Sequence, residues 1–311
     1  MMDRPVIFAE RLSKWYGPVL GISEVNLQIG GGVVGLLGEN GAGKSTLIKL
    51  IAGLIRPANG RLEVFGEPPS TSPAARARIG YCPEHNGVYG DLSAVEMVAL
   101  LAELSGIPRK EARPAAERAL VTMGLQQAMH RKVKGFSMGM RQRTKLAQAL
   151  CHDPDILLLD EPLTGVDPMA RADIIARIRG LAEAGKTVIL SSHVLAEIEA
   201  LTQNIIVIYR GQVLAEGNLY AIRELIDKHP HRIRIECDRP RSLGQKMAGH
   251  DHVINVAFER DAVIIDTADP DRCYDGIADV ALDEDVAIQS LTSPDNNLGA
   301  VFEYLTGGRS A

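Results

Sequence analysis

The chain has 311 residues, with 34 Lys plus Arg against 39 Asp plus Glu and a formal net charge of −5. That length accommodates about two domains, each able to bury a core, and the slight acidic excess argues against a polyanion-binding surface, so no nucleic acid partner is expected. No apolar run approaches the ~18 residues of a membrane span, and Met1-Met2-Asp3-Arg4-Pro5 lacks the apolar region of a signal peptide, which predicts a soluble cytosolic chain.

Residues 6–29 alternate apolar and polar around Gly17-Pro18, as expected of antiparallel strands. Between them, Trp15-Tyr16 is either core or a flat platform for a purine; taken alone, core is the stronger reading. Gly30, Gly32 and Gly35 spell G-x-G-x-x-G, but they precede a strand instead of following one, so they read as a turn and not as a dinucleotide fingerprint. The apolar run Val33–Leu37 then enters Gly38-Glu39-Asn40-Gly41-Ala42-Gly43-Lys44-Ser45-Thr46, a P-loop pattern that opens a helix. In that context Gly38, Asn40, Gly41, Gly43 and Thr46 form a backbone cradle for phosphate, Lys44 reaches the outer phosphates and Ser45 holds Mg²⁺.

Further along, Arg56–Gly60 predicts a turn, Arg61–Gly66 a short strand, Glu67–Ser72 a loop and Ile79–Glu84 a brief strand running into a loop. From Ser93 to about Leu150 the pattern is helical, interrupted at Pro108 and Gly124. Ile156–Leu159 is a run of aliphatics bounded by Asp153-Pro154 and Pro162, which predicts a strand buried on both faces of a parallel sheet. Asp160 at its end is placed to meet Mg²⁺ and Glu161 to polarise a water, although acidic dipeptides are common at strand ends. A helix through Ile174, Ile178 and Leu181 and a strand over Thr187–His193 give β-α-β order with a right-handed crossover. Beyond Pro230 the order is strand (233–237), helix (242–248), strands (253–258 and 262–267), helix (271–280), strand (286–291) and a final helix (298–305), a ferredoxin-like β-α-β-β-α-β pattern. The fold class is therefore α/β, a P-loop core followed by a smaller α+β domain. Cys82, Cys151, Cys237 and Cys273 show no C-x-x-C spacing and read as reduced packing thiols. His229/His231 and His250/His252 read as loop or surface histidines, since nothing nearby completes a metal-ligand spacing.

The ordered set Tyr16, Gly38–Thr46, Glu84, Phe136-Ser137-Met138-Gly139-Met140, Asp160-Glu161, Thr164-Gly165-Val166-Asp167 and His193 resembles the nucleotide-binding subunit of an ABC (ATP-binding cassette) transporter. The resemblance implies an ABC ATPase domain over 1–220, with antiparallel β and helical subdomains (the latter about 92–150), and a C-terminal accessory or regulatory domain over 230–311. It implies ATP and Mg²⁺ as cofactors, Ser45, Asp160 and Glu84 as metal contacts, and Tyr16 stacked on adenine, reversing the preference for core. Glu161 becomes the catalytic carboxylate, His193 the γ-phosphate contact and Asp167 a residue of the dimer seam. Ser137 and Gly139 open a helix that completes the site of a second copy in trans. Met138 and Met140 replace the usual Gly and Gln, a trait resembling the drug and antibiotic exporter branch, and Glu84 replaces a usual Gln.

The resemblance further implies an ATPase that works as a head-to-tail homodimer and energises separate transmembrane permease subunits from the cytoplasmic face of the membrane. Residues about 84–105 are the expected permease docking surface, and Asn297–Gly307 resembles the tail of exporter-type ATPases. The alternative is a soluble ABC ATPase with a regulatory or nucleic-acid role. Such proteins typically carry two cassettes or a long coiled coil, and neither is visible in the sequence.

Overall fold

Four consecutive aliphatics decide the centre of the first unit. The computed structural model describes residues 5–84, 89–218 and 231–293, and the chain divides into two compact units, 1–218 and 219–311. In the strand β6 (Ile156–Leu159) every residue is buried. Side chains alternate across a strand, and here the alternation feeds two separate cores. Leu157 and Leu159 join a cluster built mainly from helices, while Ile156 and Leu158 join one built from the P-loop helix and an antiparallel sheet.

Around β6 runs a six-stranded sheet. Its order is β5 (Ile79–Cys82), β6, β7 (Thr187–Ser192), β3 (Val33–Leu37), β8 (Asn204–Tyr209) and β9 (Gln212–Asn218). The first five strands are parallel and β9 closes the edge antiparallel to β8. A three-stranded antiparallel sheet of β2 (Val19–Ile29), β1 (Ile7–Tyr16) and β4 (Asn59–Val64) supplies the second core. The P-loop helix α1 (Lys44–Ile51) contributes Leu47, Ile48, Leu50 and Ile51 to the same cluster.

The helical segment resolves into α3 (Ala94–Leu104), α4 (Arg109–Thr122) and α5 (Met138–Leu150). Ser93 and Glu96 form a reciprocal capping box at the start of α3, Pro108 immediately precedes α4, and Gly124 follows it in a left-handed conformation. Helices α6 (Pro168–Glu183) and α7 (Leu195–Glu199) flank β7 in sequence. Several elements depart from the sequence expectation. The strand β4 begins at Asn59, inside the expected turn, because it pairs with the far end of β1. The short helix α2 (Pro73–Ala77) follows the expected loop, with Ser72 as its cap and Pro73 at its first position. The β8–β9 hairpin has no counterpart in the sequence expectation, although Ile205-Ile206-Val207-Ile208 is a buried aliphatic run of the same kind as β6. Among the described residues no helix is long and apolar enough to cross a membrane.

The second unit carries β10 (His231–Cys237), α8 (Pro240–Met247), β11 (Val253–Phe258), β12 (Ala262–Thr267), α9 (Pro270–Asp283) and β13 (Ile288–Thr292). Its antiparallel sheet has the order β11-β12-β10-β13, so β12 lies between the two strands of the first β-α-β, as a ferredoxin-like split β-α-β requires. Ile233, Ile235 and Cys237 pack with Leu243, Met247 and Ile277 of the helices. The intervening Arg232 and Arg234 form ion pairs with Asp266 and Glu259.

The expected helix over 298–305, the exporter-like tail and His229 lie outside the described residues. His252 lies in a turn, as a loop histidine should, but is only 6% exposed, whereas His231 opens the strand β10. The turn after α8 folds back on β12, where the His252 carbonyl accepts from Thr267 Oγ1 at 2.8 Å. Its ring stands 5.2 Å from that of His250. No group of three or more His, Cys, Asp or Glu able to hold a metal occurs among the described residues. All four cysteines are buried and free.

Candidate functional site

Three loops converge at the carboxyl ends of β3, β6 and β7, which is where an open parallel sheet presents its ligand site. The first is the loop from β3 into α1. Gly43 has φ +111°, and a Cβ there would stand 2.6 Å from the Gly21 carbonyl, so only glycine lets the loop turn this tightly. Lys44 is 5% exposed. Its ammonium folds back to donate to the carbonyls of Gly38 at 2.7 Å and Glu39 at 3.2 Å.

The second loop leaves β6. Asp160 is 3% exposed, and its Oδ1 accepts from Ser45 Oγ at 3.0 Å and from Ser191 Oγ at 2.8 Å. Glu161 adopts φ +48°, rare for a residue with a side chain. Its Oε1 lies 3.1 Å from Lys44 Nζ without a directed hydrogen bond, so charge holds the pair. Its Oε2 takes Thr164 Oγ1 at 3.2 Å and lies 3.0 Å from His193 Nδ1, which belongs to the third loop, after β7.

Beside this network lies an open cleft of about 410 Å³ whose lining includes Tyr16, Glu39, Asn40, Gly41, Gly43, Lys44, Ser45, Thr46, Glu84 and Glu161. Tyr16 is 45% exposed at the end of β1, with Lys14 Nζ 5.8 Å from its ring centre, and is not core. The Glu84 carbonyl accepts from Lys145 Nζ on α5 at 2.8 Å, and Lys145 is itself only 8% exposed. Tyr81, one strand residue before Cys82, is pushed up to about 12, first by burial and then by the negative charge of Asp160.

The cleft does not include Ser137, Gly139 or Asp167. Ser137 caps α5, its Oγ accepting from the Met140 amide at 3.3 Å, and Asp167 caps α6 through the Ala170 amide at 2.9 Å. The two helix starts touch: a Cβ on Gly139 would lie 2.5 Å from Ala170 Cβ. Gly38, Asp160 and His193 also stand off the lining, Gly38 against Ile208, Asp160 against Ser45 and His193 against Glu161.

Sequence reasoning missed Ser191, Lys145 and a buried link behind the β7 loop. There Ser192 Oγ donates to Glu197 Oε2 at 2.6 Å, and Glu197 Oε1 lies 3.3 Å from Arg171 Nη1. Only the dipeptide Ser191-Ser192 before His193, polar at the end of an otherwise apolar strand, could have signalled it.

Comparison with known proteins gives a consistent set of likenesses. The family model described as ABC transporter matches residues 22–164. The Nod factor export ATP-binding protein I of Cupriavidus metallidurans is 35% identical over 244 residues, 78% of this chain and 78% of that protein. The daunorubicin/doxorubicin resistance ATP-binding protein DrrA of Streptomyces peucetius is 31% identical over 300 residues, 95% of this chain and 91% of that one. Among solved structures, CbiO1 from Clostridium perfringens, part of an ABC transporter complex, superposes with TM-score 0.64 at 27% identity, over 73% of this chain and 94% of that one. The ATP-binding cassette MJ0796, in a dimeric post-hydrolysis state bound to ADP and Pi, gives TM-score 0.62 at 26% identity, over 68% of this chain and 98% of that one.

Proposed function

The chain belongs to the ATP-binding subunits of ABC transporters, and from that premise we propose that it hydrolyses ATP as a head-to-tail homodimer to drive export through separate membrane permease subunits. The observation that carries the site assignment is the contact network that joins Lys44, Ser45, Asp160, Glu161 and His193 from three loops, with Lys44, Ser45 and Glu161 lining one cleft. Tyr16 at its mouth stacks on the adenine, and the amides of Asn40–Thr46 receive the phosphates.

The donor set fits Mg²⁺. Ser45 and Asp160 present hard oxygen ligands 3.0 Å apart. Mg²⁺ is commonly held in this way, by one or two protein oxygens with phosphates and water supplying the rest. Bound there, with Glu84 facing the same cleft, it would neutralise phosphate charge. The chain's own residues supply the remainder. Lys44 exchanges Glu161 for the outer phosphate, which frees the Glu161 carboxylate to accept a hydrogen bond from the attacking water. His193, already against Glu161, contacts the γ-phosphate. Attack is in line and the leaving group is ADP.

The homodimer reading rests on the caps Ser137 and Asp167, which stand at two touching helix starts outside their own cleft with Gly139 buried between them, and which on this reading complete the partner's site. Met138 and Met169, 54% and 86% exposed beside them, add apolar contact for such a partner. Export is supported by relatives that act in Nod factor export and drug resistance; these do not favour the permease-free alternative. The segment about 84–105, where Leu100 and Leu104 are exposed, serves as the permease docking surface, which places the subunit on the cytoplasmic face of the membrane. The test is phosphate release from Mg-ATP by the purified chain across a range of protein concentrations. Specific activity should rise with concentration; activity independent of concentration in a chain that stays monomeric excludes the shared site.

A further inference from the structure

Ser191 is fully buried at the last turn of the sheet toward the cleft, and its one hydroxyl is used twice. It donates to Asp160 Oδ1 at 2.8 Å and accepts from the Glu161 amide at 2.8 Å. The sheet register makes this possible. Leu159 of β6 is paired with Leu190 of β7, so the next residues on each strand, Asp160 and Ser191, emerge side by side.

We propose that Ser191 is a positioning residue for ATP hydrolysis, fixing the Asp160 carboxylate and the Glu161 backbone relative to each other through a single oxygen. The inference rests on the proposed function of the same cleft. Glu161 departs from the strand in the left-handed region, a conformation that persists only where the surroundings hold it. Ser191 supplies that hold at the amide. Its proton meanwhile goes to the same Oδ1 that Ser45 contacts at 3.0 Å, so the carboxylate rotamer and the turn that aims Glu161 share one anchor. Ser192 does not substitute for it, because its hydroxyl faces the other way, donating to Glu197 and accepting from the Val194 amide at 3.0 Å. Removing the Ser191 hydroxyl leaves a buried amide unpaired and frees a carboxylate that must be stationary for phosphoryl transfer.

The experiment compares the unsubstituted full chain with Ser191→Ala and Ser191→Thr, measuring turnover of Mg-ATP, nucleotide affinity in EDTA and thermal melting. Ser191→Ala should lower kcat about tenfold while affinity in EDTA stays within about twofold, since the P-loop amides and Lys44 are untouched. Ser191→Thr, which keeps the hydroxyl, should recover most of the rate. A Ser191→Ala chain that melts normally and turns over normally overturns the proposal, as does a loss that runs in parallel with affinity or with the folded fraction. Should Ser191→Ala not fold, Ser191→Thr decides alone: wild-type affinity in EDTA with wild-type turnover supports it, and a folded Thr variant without turnover refutes it. An unsubstituted chain that does not hydrolyse ATP at all removes the proposed function itself, and the role of Ser191 with it.

Discussion

Replacing Glu161 by Gln should do two opposite things to the site. Lys44 is held by Glu161 at 3.1 Å, with both side chains about nine-tenths buried. Two unit charges at that separation attract by about 5 kcal/mol at an effective dielectric constant of ~20, a gross figure that desolvation largely offsets. ATP must take Lys44 away from this pair, so part of the pair's energy opposes binding. If a residual of about 1.4 kcal/mol survives the offset, Glu161→Gln tightens nucleotide binding about tenfold. At the same time the amide cannot accept a proton or orient water as a carboxylate does, and turnover should fall by at least ~100-fold. The assay is titration calorimetry with ATP in EDTA, paired with phosphate release under Mg-ATP. Unchanged or weaker affinity refutes the competition between Glu161 and phosphate for Lys44. Undiminished turnover refutes the role of Glu161 altogether.

The contact between α5 and α6 gives a second expectation. Gly139→Ala places a methyl 2.5 Å from Ala170 Cβ, so the helix starts must separate by about 1 Å to reach ordinary carbon contact. Nucleotide affinity of the dilute chain should be unchanged, while the concentration-dependent turnover falls at least about tenfold; retained turnover in sedimenting dimers contradicts the trans role of this segment. The thiols offer a third. Burial pushes Cys82 and Cys151 up to about 11, and all four cysteines are buried, so Ellman's reagent at pH 8 should register no fast thiol in the native chain and four after denaturation. One fast-reacting native thiol is enough to overturn that packing.

Much of the cleft could be read directly because its residues are fixed by local chemistry. A loop that wraps phosphate needs Gly43 at φ +111° and a buried strand before it, and both leave marks in consecutive residues. The doubly buried β6 announces Asp160 and Glu161 in the same way. Ser191 and Lys145 escaped because their partners lie 31 and 61 residues away and meet them only through the sheet order and the docking of α5. Tyr16 illustrates a different failure. Its aromatic ring suggests core, but beyond Ser13 β1 is paired with β2 alone, Tyr16 lying opposite Val19 at the hairpin end, so the ring is exposed by position and not by pattern. In the β8–β9 hairpin the weak signature belongs to β9, a half-buried edge strand whose residues show no clean alternation, whereas the aliphatic run of β8 is of the same kind as β6.

The touching starts of α5 and α6 have unequal electrostatics. Each helix concentrates about half a positive charge at its first turn. On α6 the cap is Asp167, whose carboxylate cancels that charge on the spot. On α5 the cap is Ser137, a neutral group, and its first turn contains no acidic residue. Two neighbouring helix ends therefore present one neutralised pole and one open pole. A polyanion approaching this surface meets a single attractive point, the amides behind Ser137 and Gly139, and the helix beside it adds no competing site.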